Sequence, residues 1–264
     1  MSTSPRPSLR VARALAASCH PLPTVMVTGL GTALAVAAAR EVRRGAGATL
    51  PASGPAVGVA RGARLTAWSV AVGSGQLVIG WVNDALDAER DARVGRTDKP
   101  VAAGAVSVPT VWGAAGCAAL MSALAGRWTG WGLAASQLGL VVVPGVAHSL
   151  GVKRTVLSPV PWAVAFGALP VLAHRAGGGG GLPARPAVAG AALGAAAHLV
   201  NAARDVEDDA LTGQEGLPAR LGVAASHGVA AGLVGVAAAS VRGPMRWFVG
   251  AAAGAVALVG VRAG

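Results

Sequence analysis

The chain has 264 residues, of which 53% are hydrophobic and only 12% are charged. A soluble domain carries about twice that share of charged residues, so the composition excludes a soluble globule and, equally, a disordered chain. The formal net charge of +11 would suggest nucleic acid as the partner of a soluble protein, but here the arginines lie mostly at the ends of apolar runs, which is typical of a polytopic membrane protein that contacts lipid and no nucleic acid.

The predicted elements begin with a polar segment over residues 1–21, and a membrane domain follows over residues 22–264. Eight apolar stretches of about 17 to 22 residues are each long enough to cross the hydrocarbon core of a bilayer, which is roughly 30 Å thick. They lie near residues 22–39, 65–83, 104–125, 131–147, 157–174, 186–203, 219–240 and 245–262. We therefore expect an all-α bundle of transmembrane helices.

Two segments between these stretches hold nearly all of the acidic residues. Residues 84–103 and residues 204–218 contain ten of the 11 acidic residues, and Glu41 is the other one. Four predicted helices separate the two segments, and an even number of crossings returns a chain to the same membrane face. The arginines and lysines are divided almost equally between the two faces, so the positive-inside rule does not orient the bundle.

The two acidic segments repeat one spacing of amide and carboxylate side chains. The first continues directly from an apolar helix, and at 100° per residue its Asn83, Asp87 and Asp91 lie within about 80° of arc on one helix face. The second segment has the same i, i+4, i+8 spacing at Asn201, Asp205 and Asp209.

Such a cluster of hard oxygen ligands favours a divalent cation. Carboxylates left alone would repel one another, and each would cost up to about 3 kcal/mol near the bilayer. Mg²⁺ suits the cluster best because it is held by few carboxylates and completes its octahedron with water and phosphate oxygens. Basic side chains on the same predicted face would help the metal to neutralise a diphosphate substrate. These are Arg90, Arg93, Arg96, Lys99, Lys153, Arg154 and Arg204.

A single DxxxD pattern near a helix end is more often a pair of solvated residues than a metal site. Two matched arrays on one predicted face favour the metal site instead. Asp84 and Asp208 lie outside the ligand arc, each about 60° from its centre, so we expect a supporting or solvated role for both. Glu89 and Glu207 point further away, and we expect them to be solvated.

Four ordered motifs make the sequence resemble the UbiA family of intramembrane prenyltransferases, from about residue 19 to residue 222. They are NDxxDxxxD at residues 83–91, RTDKPVAAG at 96–104, SLGVKRT at 149–155 and DxxxD at 205–209. The resemblance implies a bundle of nine transmembrane helices around a central cavity, which both aspartate motifs face from the cytoplasmic side. It also implies an integral protein of the cell membrane with a cytoplasmic active site.

The resemblance further implies roles for individual residues. The implied Mg²⁺ ligands are Asn83, Asp87, Asp91, Asp205 and Asp209, and the four aspartates among them are the implied catalytic residues. The implied contacts with the diphosphate are Arg96, Lys99, Lys153 and Arg154. The sequence differs from the family pattern in having eight predicted spans instead of nine, and in having His148 where tyrosine is common.

The leading hypothesis is Mg²⁺-dependent transfer of a prenyl group from a prenyl diphosphate to a second substrate, an aromatic or lipid-like acceptor within the membrane. A related alternative keeps the same site but cyclises the prenyl chain without an acceptor. An alternative from another class is a cation transporter. Against it, the carboxylates cluster at one membrane face rather than at the bilayer midplane.

Overall fold

A computed structural model of the chain describes residues 7–45, 55–204, 206, 216–242, 249–250 and 254. Within those residues all regular secondary structure is helical, which confirms the predicted all-α class. The chain is organised in two compact units, Met1–Ala33 with Ala48–Leu138 and Leu34–Gly47 with Gly139–Gly264.

The first unit is built around one long helix. It contains α1 (Pro7–Ser18), the part of α2 (Pro21–Gly45) that ends at Ala33, α3 (Pro55–Arg93), α4 (Val108–Gly126) and α5 (Trp131–Gln137). The buried indole N–H of Trp68 on α3 donates to the Gly31 carbonyl of α2 at 2.9 Å. The Ser122 hydroxyl of α4 donates to the Ala71 carbonyl of α3 at 2.8 Å. These bonds fix α3 against both neighbours.

Residues 7–18 of the predicted polar segment form α1, which packs against the last third of α3. Ala14 shares a buried cluster with Ala85 and with Val101, and the indole N–H of Trp81 donates to the Leu15 carbonyl at 2.9 Å. Helix α1 therefore lies beside the turns of α3 that carry the first acidic array.

The second unit packs its helices closely through small residues. Its helices beyond α2 are α6 (Val143–Leu150), α7 (Val160–Ala176), α8 (Ala184–Ala203), α9 (Leu217–Leu221) and α10 (Val223–Ser240). Gly190 of α8 lies against the Phe166 carbonyl of α7, where a Cβ would overlap with it. Ala196 and Leu199 of α8 share a buried cluster with Ala230 of α10. Close backbone approach at small residues is the usual packing mode of membrane helices.

Within the part of the chain that the structure describes, six helical segments are long and apolar enough to cross a membrane, and they correspond to six of the eight predicted spans. They are Pro21–Gly45, Ala60–Arg93, Val108–Thr129, Trp131–Leu150, Ala184–Ala203 and Val223–Ser240. The stretch predicted near 157–174 forms α7, a shorter helix of 17 residues with Pro170 inside it. The stretch predicted near 245–262 lies almost entirely outside the described residues.

Candidate metal and diphosphate site

The first acidic array lies on the C-terminal turns of α3, as the spacing predicts. Asp87 and Asp91 are 7% and 5% exposed, although both are carboxylates at the end of an apolar helix. The amide of Asn83 donates a hydrogen bond to Asp87 Oδ2 at 3.0 Å. Asn83 and Asp87 therefore lie side by side on one face, and Asp91 follows one turn later.

The first array has the chemistry that a hard divalent cation prefers, since it offers two buried carboxylates and an amide. Over the described part of the chain, no three His, Cys, Asp or Glu side chains converge closely enough to hold a metal. The other two predicted ligands, Asp205 and Asp209, lie outside the described residues, as do Glu207 and Asp208.

The loop after α3 returns to the end of the same helix. The backbone N–H of Arg96 donates to the Asp91 carbonyl at 2.9 Å. The Arg96 guanidinium donates two hydrogen bonds to the Asp98 carboxylate, of 2.9 and 3.0 Å. These bonds lower the pKa of that exposed carboxyl. Arg90 Nη1 lies 3.9 Å from Asp91 Oδ1. Two of the predicted basic residues are therefore placed beside the first array.

Asp84 is 2% exposed. This burial excludes the solvated alternative among its two predicted roles and leaves the supporting one. Its Oδ1 accepts a hydrogen bond from Lys99 Nζ at 2.8 Å and lies 3.0 Å from His20 Nε2. The family resemblance implies that Lys99 contacts the diphosphate, but here its ammonium is bound to the Asp84 carboxylate. His20 was missed by sequence reasoning, because no spacing rule connects residues 64 positions apart.

Two of the predicted diphosphate contacts, Lys153 and Arg154, lie on a short 3₁₀ turn, Val152–Arg154, after α6. Gly216, near the end of the second acidic segment, packs against the Lys153 carbonyl. The backbone N–H of Leu217 donates to the buried Ser158 hydroxyl at 3.3 Å. The turn with Lys153 and Arg154 therefore lies beside the end of the second acidic segment.

His148 belongs to a cluster of rings in the second unit. Its ring packs edge-on against His198 with centroids 5.1 Å apart, and against Trp162 at 6.1 Å. Trp162 stacks on Phe166 at 6.0 Å. His198 is buried, and its Nε2 lies 2.9 Å from the Ser158 hydroxyl. Apart from the unusual histidine at position 148, no feature of the sequence predicts this cluster.

A model of the UbiA prenyltransferase family matches residues 46–263 of this chain. Among solved structures, a UbiA homolog from Archaeoglobus fulgidus bound to GPP and Mg²⁺ matches with a TM-score of 0.59 at 17% identity, covering 98% of this chain and 84% of that one. The same homolog bound to DMAPP and Mg²⁺ gives a TM-score of 0.58 at 16% identity, covering 97% and 83%. A structure from work on digeranylgeranylglyceryl phosphate synthase in membranes gives 0.63 at 12%, covering 96% and 86%. No curated protein matches the sequence.

The likeness to these structures, at identities below 20%, shows a shared fold. The family match confirms the resemblance that four short motifs predict, and it extends further towards the C-terminus than those motifs do. It covers both aspartate motifs and the two motifs with basic residues, at 96–104 and 149–155. The chain belongs to the UbiA prenyltransferase family and is a prenyltransferase integral to the membrane.

Proposed function

We propose that this protein transfers a prenyl group from a prenyl diphosphate to an acceptor within the membrane, with Mg²⁺ as cofactor. The observation that carries the proposal is the pair of buried carboxylates, Asp87 and Asp91, one turn apart at the end of an apolar helix and followed directly by Arg96. Solved relatives bound to GPP or DMAPP together with Mg²⁺ support it.

The metal ligands in this proposal are the amide and four carboxylates of the two arrays: Asn83, Asp87, Asp91, Asp205 and Asp209. Bound Mg²⁺ would neutralise charge on the diphosphate leaving group. The protein orients these oxygens before the substrate binds. The hydrogen bond from Asn83 to Asp87 contributes to that orientation.

The reaction breaks the bond between C1 of the prenyl chain and its diphosphate oxygen, and the electron pair leaves with the diphosphate. The acceptor supplies the electron pair of the new bond to C1 and loses a proton. Arg96, Lys153 and Arg154 would stabilise the negative charge that develops on the leaving group, since charge-assisted hydrogen bonds are strong where water is excluded. Surrounding apolar helices would keep water from the allylic cation.

Residues 22–264 act in this proposal as one prenyltransferase domain in the cell membrane, with the aspartate arrays on the cytoplasmic side. The acceptor is an aromatic or lipid-like molecule that partitions into the bilayer. Family membership favours an enzyme over the cation transporter that the acidic clusters alone left open.

The test supplies membranes that contain the protein with geranyl diphosphate and a lipid extract. The products are identified by mass spectrometry. We expect prenylated acceptor that disappears with a chelator, returns with Mg²⁺, and is lost in Asp87→Asn. The matched control is Glu89→Gln, on the same helix, whose side chain is 88% exposed and should matter little.

Two results would contradict the proposal. Transfer that continues in a chelated sample would remove the metal from the mechanism. A prenyl hydrocarbon formed equally well without the lipid extract would identify a cyclase, which shares the ionisation step but needs no acceptor.

A further inference from the structure

The Asp84 carboxylate is the most deeply buried acidic side chain in the part of the chain that the structure describes. Lys99 Nζ and His20 Nε2 contact its Oδ1 at 2.8 and 3.0 Å and lie 3.3 Å from each other. Its Oδ2 is buried and has no hydrogen-bond partner among the described residues. Such a carboxylate depends on its cation, because removal of one partner leaves an uncompensated buried charge.

Lys99 connects this carboxylate to the loop over residues 94–107, which is attached to α3 at two levels. The Arg96 backbone N–H donates to the Asp91 carbonyl at 2.9 Å. Lys99 reaches Asp84, which lies about two helical turns before Asp91. The loop therefore runs back along α3 past the level of Asp87, and Val101 is then buried beside Ala85.

His20 connects the same carboxylate to the corner between α1 and α2. Its φ of 54° lies in the left-handed region, which non-glycine residues rarely adopt. The preceding carbonyl, that of Cys19, packs against Gly80 of α3, where a Cβ would overlap with it. Gly80 and Asp84 lie one turn apart on one face. The unusual backbone of His20 is thus held by packing on one side and by its contact with Asp84 on the other.

We propose that Asp84 is a positioning residue that, through Lys99 and His20, fixes the 94–107 loop and the α1–α2 corner against the metal-bearing end of α3. The proposal rests on the proposed function, because this loop carries Arg96 to the diphosphate. Lys99 then acts by holding the loop, and not by contacting the diphosphate as the family resemblance implies.

Prenyl-transfer kinetics of Asp84→Asn and Lys99→Met distinguish the two roles of Lys99. If the pair positions the loop, both variants raise KM for the prenyl diphosphate and lower kcat/KM on the order of 10- to 100-fold. The double variant is no worse than either single variant, because all three lose the same contact. Lys99→Arg keeps a cation beside Asp84 and retains a KM near that of the wild type.

A direct role of Lys99 at the diphosphate gives a different pattern. Lys99→Met alone would then raise KM, while Asp84→Asn, which releases the ammonium from its carboxylate, would leave KM unchanged or lower it. That result would overturn the proposal. Glu89→Gln is the matched control, since it removes an exposed carboxylate from the same helix.

Alkylation of Cys19 provides a readout that does not depend on activity. In a Cys117→Ala background, Cys19 is buried at the α1–α2 corner, and this burial raises the pKa of its thiol, so it reacts slowly with N-ethylmaleimide. Release of the corner in Asp84→Asn or Lys99→Met should accelerate labelling by about tenfold or more. Lys99→Arg and Glu89→Gln should label as the wild type does.

The labelling experiment also distinguishes failure of this proposal from failure of the proposed function. Equal protection of Cys19 in all variants would overturn the positioning role, whatever reaction the protein catalyses. If the wild type lacked Mg²⁺-dependent transfer but Asp84→Asn accelerated labelling of Cys19, the positioning role of Asp84 would stand and the proposed chemistry would be overturned.

Discussion

Asp84 and Asp87 lie three residues apart on α3, yet their carboxylates have different partners. Asp84 is bound by the Lys99 ammonium and contacts His20, so the protein itself compensates its charge. Asp87 accepts a hydrogen bond from the Asn83 amide, and a neutral donor orients a carboxylate without cancelling its charge. The first aspartate is therefore suited to holding structure together, and the second is oriented by the amide one turn before it.

Lys153 and Arg154 provide the residue-scale prediction. Replacing either residue with glutamine should weaken binding of prenyl diphosphate by roughly 10- to 150-fold, because a hydrogen bond to a charged group contributes about 1.5–3 kcal/mol. Insertion into the membrane should be unchanged, since both side chains lie on a turn outside the six apolar helices.

The matched control is Arg185→Gln, which removes a basic residue from the N-terminal end of α8. The second acidic segment follows the other end of that helix. Binding can be measured by competition with a labelled diphosphate. Affinities equal to that of the wild type in both test variants would leave Lys153 and Arg154 as ordinary charges flanking membrane helices.

At the scale of the element, α3 is longer than a bilayer requires. Its 39 residues extend over about 58 Å, so its last turns reach beyond a hydrocarbon core of roughly 30 Å. Carboxylates are unfavourable near a helix C-terminus, where the helix dipole is negative, and Arg90 and Arg93 in the last turn oppose that effect. A bound divalent cation would oppose it further, which gives the acidic end of α3 a physical reason to bind one.

Gly80 tests the packing of α3 against the α1–α2 corner. In Gly80→Ala the new Cβ meets the Cys19 carbonyl, so the backbones must separate, and we expect a loss of about 1–3 kcal/mol of stability. Thermal unfolding in detergent should show a lower midpoint. Gly113→Ala on α4 is the control, because nothing lies within 4 Å of its Cβ position, and it should be neutral or slightly stabilising. Equal midpoints for the two variants would contradict the close packing.

At the scale of the whole molecule, the composition and the apolar helices both indicate a membrane protein. The six apolar segments coincide with predicted spans, and the family model covers most of the chain. By sequence, the first acidic array belongs to one of the two units and the second array to the other. The proposed reaction requires both arrays on one membrane face.

Cysteine accessibility tests that requirement. Asp98→Cys and Gly213→Cys, made separately in a chain without Cys19 and Cys117, should both react with a membrane-impermeant maleimide from the cytoplasmic side. The reason is that four predicted helices separate the two positions, and an even number of crossings restores the side. Reaction from opposite sides would exclude a shared metal site while leaving the membrane assignment intact.

The sequence by itself determined the features that depend on composition and on spacing along the chain. Apolar stretches of bilayer length predicted the helical membrane class, and the i, i+4 spacing placed Asn83 beside Asp87, because helical phase is a local property. Ordered motifs predicted the family, which the family model confirms. The roles of the predicted metal ligands and diphosphate contacts stay predictions.

Only the tertiary structure decided the partners of buried polar groups. Helical phase left Asp84 either supporting or solvated, and nothing local connects it to His20, 64 residues earlier, or directs the Lys99 ammonium to it. The extent of the N-terminal region was also decided by packing, since α1 forms where Ala14 can be buried against Ala85. The physical reason is common to these cases: a buried charge or a small apolar surface is stabilised by whichever groups the fold brings near it, and those groups are distant in sequence.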